Sequence, residues 1–221
     1  MLEFLSAVNW EQMLTSIEQT LLMTLVPLVI AVVLGLLLGI VLYVTQKDGL
    51  WEHVFIFRIL DFLVNVFRAI PFIILLFIIV PLTKLLVGTM LGPVAAIPGL
   101  TLCAIPFFAR MCQIAFNEVS NGTIEASKAM GASNFEIMFK VVLPEASPAL
   151  VSSVAMLASN LVGYTAMAGA VGGEGLGNLA YMYGFARRND AVLFIATAII
   201  VVIVFAIQFI GDMVAKKVDK R

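Results

Sequence analysis

NGTIEASKAMGASNFEIMFKVVLP, residues 121–144, is the longest part of this sequence that cannot sit in a lipid bilayer. It carries Glu125, Lys128, Glu136 and Lys140, Glu118 precedes it, and long apolar runs flank it on both sides. The stretch reads as two short helices with a break between them. Thr123 suits an N-cap, which puts Glu125 in the first turn, near the positive end of the helix dipole. Gly131 suits the left-handed residue that ends such a helix. Ser133, three residues before Glu136, is a capping-box pattern for a second helix. Pro144 then marks a break before the next apolar run, with Pro148 at that run's start. Ala126, Ser127, Ala129, Gly131, Ala132 and Ser133 are small and would present backbone to a close neighbour. Ile124, Met130, Phe135 and Met138 supply apolar anchors. A helix lying on lipid would crowd its polar face with Lys and Arg. Lys128 and Lys140 are balanced here by Glu125 and Glu136, which favours a protein-docking surface.

The apolar runs set the class. Hydrophobic residues make up 62% of the chain and charged residues 12%, against roughly 45–50% and about 25% in a soluble domain. The expected fold is therefore all-α and polytopic in a membrane. A barrel would show alternating segments of about ten residues, and these runs are continuous. Residues 21–44, 85–109, 146–173 and 191–211 contain no charge, and residues 62–83 contain one, Arg68. Each run meets the roughly 20 residues needed to cross the hydrocarbon core. We expect one transmembrane domain over 1–221, with five spans at 20–44, 60–83, 91–113, 147–169 and 191–211. The third span holds Pro93, Pro98 and Pro106, so its helix should begin after Pro93, its prolines tolerated because neighbouring helices satisfy freed carbonyls.

Five spans place the termini on opposite sides, and Lys and Arg decide which. With residues 121–144 inside, that side holds Lys47, Arg58, Arg110, Lys128, Lys140, Lys216, Lys217, Lys220 and Arg221. The other side holds Lys84, Arg187 and Arg188. The N-terminus is expected outside and the C-terminus in the cytoplasm. Glu3 and Glu11, in place of a basic n-region, argue against a cleavable signal peptide. The net charge of −1 gives no basic field for nucleic acid. Cys103 and Cys112 read as reduced packing residues, and the single histidine, His53, argues against histidine metal sites and His-dependent triads. No G-x-x-x-x-G-K-[ST] occurs, so the chain has no P-loop for ATP. Gly35-x-x-x-Gly39 fits either close helix approach or a glycine-tolerant membrane helix. Thr20 and Thr24 can bond back to the preceding turn.

Glu125-Ala126-Ser127, then Gly131, then Leu143-Pro144 resembles the EAA motif of permease subunits of ATP-binding-cassette importers, with Ser127 in place of the second alanine. The resemblance narrows to the methionine-importer permeases along Phe67 to Leu76, Ile124 to Ala132 and Leu161 to Gly172, followed by Gly175-Leu176-Gly177. It runs from about Thr20 to the end. It implies a type I importer permease fold with a cytoplasmic two-helix coupling element over 121–144. Glu125, Ala126, Ser127, Ala129, Gly131, Leu143 and Pro144 would then couple the chain to an ATPase. It further implies a homodimer in the bacterial cytoplasmic membrane, two cytoplasmic ATPase subunits that use ATP and Mg, and an external substrate-binding lipoprotein. No cofactor or metal is expected on this chain, and no catalytic residue.

A transporter needs special groups on a central path. Ser153, Met156, Asn160, Tyr164 and Met167 recur at steps of three and four and share one helix face. Asn160 is costly in hydrocarbon unless it meets a partner or a cavity. Asn160, Tyr164 and Met167 are the path candidates, and a helix–helix hydrogen bond is the competing role for Asn160. Arg68 is a fourth candidate, either on the path or bonded to backbone near Pro71 or at a dimer interface. Asp61, near the same face, could pair with Arg68 through an intermediate group. Residues 172–177 lack the third glycine of a dinucleotide fingerprint and suggest a tight external turn into a short helix at 179–185. Arg187 and Arg188 there fit solvated loop charge or contact with an external partner. The expected function is ATP-driven import of methionine, L- and D-, by alternating access. The alternatives are a permease for another amino acid or small peptide, and a secondary transporter. The secondary transporter would need an acid for ion coupling, and the charge-free runs supply none.

Overall fold

The computed structural model describes residues 8–219. Glu3, Lys220 and Arg221, which enter the charge arguments above, lie outside the described residues. Helix α1 runs Trp10–Thr45 over 36 residues, capped by the Asn9 side chain, which accepts from the Gln12 N–H at 3.1 Å. It starts at Trp10, about three helical turns before the expected span at residue 20. Its extra turns are anchored by Met13 in a small core with Leu176, Leu179, Val192 and Ala196, a long-range partnership that no local pattern announces. Next come α2 (Val54–Ala69), α3 (Phe72–Ile78) and α4 (Val80–Val87).

The expected span at 60–83 is a broken one. The axes of α2 and α3 differ by 103° across Ile70 and Pro71. Pro71 has no N–H to donate and disfavours helix at the residue before it, and Ile70 is extended, with φ −74° and ψ 123°. Among the described residues four helices are long and apolar enough to cross a membrane, and five spans result if the bent pair is counted as one.

Helix α5 (Pro93–Asn117) starts at Pro93 itself rather than after it, since its missing N–H costs nothing in the first turn. It is the central strut, packing against α1, α2, α3, α4 and α8. Lipid gives helices no hydrophobic reason to associate, so close packing must hold them. Gly39 shows how. A Cβ there would lie 2.5 Å from Cys112 Cβ and 2.9 Å from the Ala109 carbonyl oxygen. Gly35-x-x-x-Gly39 is therefore the contact strip on which α1 approaches α5.

Helix α6 (Asn121–Ala129) begins after Ser120, so Thr123 sits inside its first turn rather than at the cap. Its carbonyl accepts from the Ser127 hydroxyl at 2.8 Å. The next element is α7 (Asn134–Glu136). It passes without interruption through a π-helical turn (Ile137–Val142) into α8 (Leu143–Ala168). The break expected at Pro144 is absent. In a regular α-helix the Pro144 ring would meet the Lys140 carbonyl. The wider turn just before it, in which the Leu143 N–H donates to the Met138 carbonyl, relieves that conflict. Ile137, Met138 and Val142 are fully buried in the main core with Leu100, Phe108, Phe116 and Leu161. After Gly169–Gly173 come α9 (Gly175–Asn178), a π-helical segment (Leu179–Phe185) and α10 (Asp190–Val218). Helix α10 outruns the expected 191–211 at its C-terminal end, where Lys216 and Lys217 suit the last turn.

Candidate coupling element and translocation face

The coupling element is tied down at each end by its own sequence. Gly131 has φ 84°, and its N–H donates to the Lys128 carbonyl at 2.9 Å while the Ala132 N–H reaches the Ser127 carbonyl at 3.1 Å. This is a Schellman termination, which favours glycine at the left-handed residue. Ser133 Oγ accepts from the Glu136 N–H at 3.3 Å, and Glu136 Oε2 accepts from the Ser133 N–H at 3.2 Å, a complete capping box. Lys140 Nζ donates to Glu136 Oε1 at 2.9 Å. That bond first, and those from Ser133 after it, hold the Glu136 carboxyl down at about 2. Asn134 fastens α7 to the preceding helices by donating to the Leu50 carbonyl at 2.5 Å.

The expected coupling residues divide by exposure. Glu125, Ala126, Ala129, Gly131 and Pro144 are exposed, Leu143 is half-buried, and Ser127 is buried against the chain. Met130 is 81% exposed and Phe135 61%, and Phe135 packs on Phe139 with ring centroids 4.5 Å apart. Of the four expected anchors, Met138 is buried and Ile124 packs against the core, leaving Met130 and Phe135 outward. The element therefore offers small backbone-rich surface beside two apolar prongs. A cleft of about 250 Å³ lies behind α6, lined by Gln46, Asn117, Glu125 and Lys128 among others.

Helix α8 has two unlike faces. Leu150, Leu157, Leu161, Val162 and Thr165 are buried. Met156 and Met167 are about half exposed, at 54% and 51%, and Asn160 and Tyr164 lie between them. Among the described residues Asn160 makes no hydrogen bond. Gly163 is on the same side, and a Cβ added there meets no atom within 4 Å. Tyr164 stacks on Phe72, with centroids 4.7 Å apart and planes 25° from parallel. Phe72 is the first residue of α3, so the bend at Pro71 delivers it. Sequence reading missed it because its role depends on that bend.

Arg68 ends α2 beside the break, exposed and unpaired among the described residues. The expected indirect pairing of Asp61 with Arg68 is overturned. Asp61 Oδ1 lies 2.5 Å from Arg110 Nη2 instead, and Asn65 Oδ1 accepts from the same nitrogen at 3.1 Å. Arg110 sits two turns before the end of α5 and not in a loop. An arginine closing an apolar run, with Asp and Asn one turn apart on another helix, was the available signal.

At the opposite end, the Gly-rich block is stapled to α1. Gln19 donates to Glu174 and accepts from the Gly175 N–H at 3.0 Å, and Thr20 Oγ1 accepts from the Leu176 N–H at 2.9 Å. Thr20 also bonds back to the Ser16 carbonyl at 2.8 Å, and Thr24 to that of Thr20 at 2.8 Å. Arg187 lies over the Tyr183 ring at 4.2 Å.

A broken span, a half-exposed polar stripe and a candidate docking element continuous with a span fit a membrane transport component. The sequence pattern of the family described as the binding-protein-dependent transport system inner membrane component matches residues 31–221, and the chain belongs to that family. It is 45% identical over 181 residues to the methionine import system permease protein MetP of Bacillus subtilis, covering 82% of each chain. It is 43% identical to a probable D-methionine transport system permease protein MetI of Vibrio cholerae, covering 97% of this chain and 96% of the other. Among solved structures, a chain of the MetNI methionine ABC transporter in an inward-facing conformation superposes with a TM-score of 0.93. The two are 42% identical over 96% of this chain and 98% of that one. An amino acid ABC transporter that is 18% identical shares the fold, with a TM-score of 0.80.

Proposed function

We propose that this chain is the membrane-spanning permease subunit of an ATP-driven methionine importer. The observation that carries the reading is agreement with methionine permeases along nearly the whole chain, in sequence and in fold. ATP and Mg are used by a separate cytoplasmic ATPase, two copies of which dock on a homodimer of this chain. The exposed prongs Met130 and Phe135, and the small surface of Glu125, Ala126, Ala129, Gly131 and Pro144, support α6 and α7 as the docking element. Ser127 and Leu143 hold that surface from within. An external binding lipoprotein delivers methionine to the side carrying the 172–188 segment. The N-terminus is then outside and the C-terminus in the cytoplasm.

The path is lined by Asn160, Tyr164 and Met167, with Arg68 at the broken span. Broken helices are tolerated at membrane depth where they line a cavity or lie within protein. The assembly works by alternating access: closure of the ATPases moves the docking element, and α8 moves with it because α7 is continuous with α8. The test is uptake of labelled methionine into vesicles holding the complete complex. Uptake should require ATP and the binding protein, and unlabelled L- or D-methionine should compete. Efficient competition by an unrelated amino acid, with none by methionine, would overturn the substrate.

A further inference from the structure

We propose that Arg110 is a positioning residue that makes α2 follow α5 and the base of the coupling element during transport. The inference rests on the permease reading. Arg110 stands in the middle of a chain of side-chain hydrogen bonds that crosses three helices. On one side Nη2 reaches Asp61 and Asn65 of α2. On the other side Nη1 donates to Gln113 Oε1 at 2.7 Å, and Gln113 Nε2 donates to Gln46 Oε1 at 3.2 Å. Gln46 Nε2 then donates to Asn117 Oδ1 at 2.8 Å. Gln46 and Asn117 line the cleft whose far wall is Asn121, Ile124, Glu125 and Lys128 of α6. The series therefore runs from the first half of the broken span to the end of α5, on the cleft that α6 also lines.

Helix α2 has little else to orient it. Val64 is its one buried residue, in a small cluster with Leu42 and Ala109 that Phe57 and Leu60 adjoin. Phe55 and Phe62 point away from the chain, 76% and 67% exposed. An apolar seam so thin and uniform tolerates sliding and rotation. A charged pair does not. The Arg110 side chain is only 17% exposed, and its Nε has no partner. Separating Asp61 from it would strand charge in a poorly solvated place, so α2 must travel with α5 or the pair must break at high cost. What α2 carries matters for the path. It ends at Arg68 and the Pro71 bend, and the residue after that bend, Phe72, stacks on Tyr164. Turning α2 therefore turns groups on the transport face, while a neutral seam would let them drift.

The test uses the complete importer in proteoliposomes, reading ATP hydrolysis and methionine uptake together. Absence of uptake by the unaltered complex would sink the importer reading itself. Given that uptake, Arg110→Gln should lower methionine moved per ATP by about tenfold, while hydrolysis stays within about twofold. Joining Asp61→Arg to Arg110→Asp should restore roughly half of the lost uptake. Gln46→Leu leaves the ion pair intact and cuts the link to Asn117, and should lower the ratio by roughly threefold. An unchanged ratio in Arg110→Gln would overturn the proposal. So would a scaffold pattern, in which hydrolysis, uptake and the amount of inserted chain fall together and neither the swapped pair nor Gln46→Leu shows a change in the ratio.

Discussion

Two glycines do opposite work. Gly39 is needed for what it lacks, because α5 occupies the space a side chain would take. Gly39→Leu forces α1 away from Ala109 and Cys112, and overpacking of this kind costs about 1–3 kcal/mol. The expected result is a lower midpoint of thermal denaturation for the purified chain, with Gly163→Leu as an unaffected comparison. Gly131 is needed for its backbone. Its Cβ would meet nothing within 4 Å, yet φ is 84°. Gly131→Arg therefore strains the turn by about 1–2 kcal/mol and crowds the docking surface with a long cation. The chain should still insert, while ATP-driven uptake is lost. Near-normal uptake by this variant would refute the docking role.

At the level of elements, capping chemistry was readable and bends were not. Ser133 and Glu136 announce their box three residues apart, and Gly131 announces its termination, because those interactions are local. The course of α2 into α3 is not legible in the apolar run, because α5 gives α3 a separate seat and that packing is long-range. Pro144 was read as a break because the π-helical turn that accommodates it has no signature in residue type. The box also has a pH dependence. The folded Glu136 carboxyl titrates at about 2, below its ordinary 4.5. Its contribution is therefore complete above about pH 4.5 and is lost as pH falls from there towards 2. Hydrogen exchange at residues 133–137, corrected for its intrinsic rate, should quicken across that window and stay level in Glu136→Gln.

For the whole molecule, the class and the apolar runs are legible because burial in lipid is written in composition. The spacing of Asn160, Tyr164 and Met167 places them on one face of α8, but Phe72 and Arg110 reach their partners only through contacts between distant helices. The open space beside Gly163 allows a direct probe of that face. Gly163→Phe should leave insertion and docking intact and abolish uptake; unimpaired uptake would move the path elsewhere. The π-helical turn has a further consequence, one of phase. It holds one residue more than a regular helix needs, and each residue turns a helix by about 100°. Deleting Phe139 should therefore leave the rod from Asn134 to Ala168 continuous yet swing Phe135 about a quarter-turn off its bearing. Docking would fail with every surface residue but one still present. The extra residue is then a clocking shim, setting the angle at which Phe135 is presented relative to the face of α8 that carries Asn160, Tyr164 and Met167.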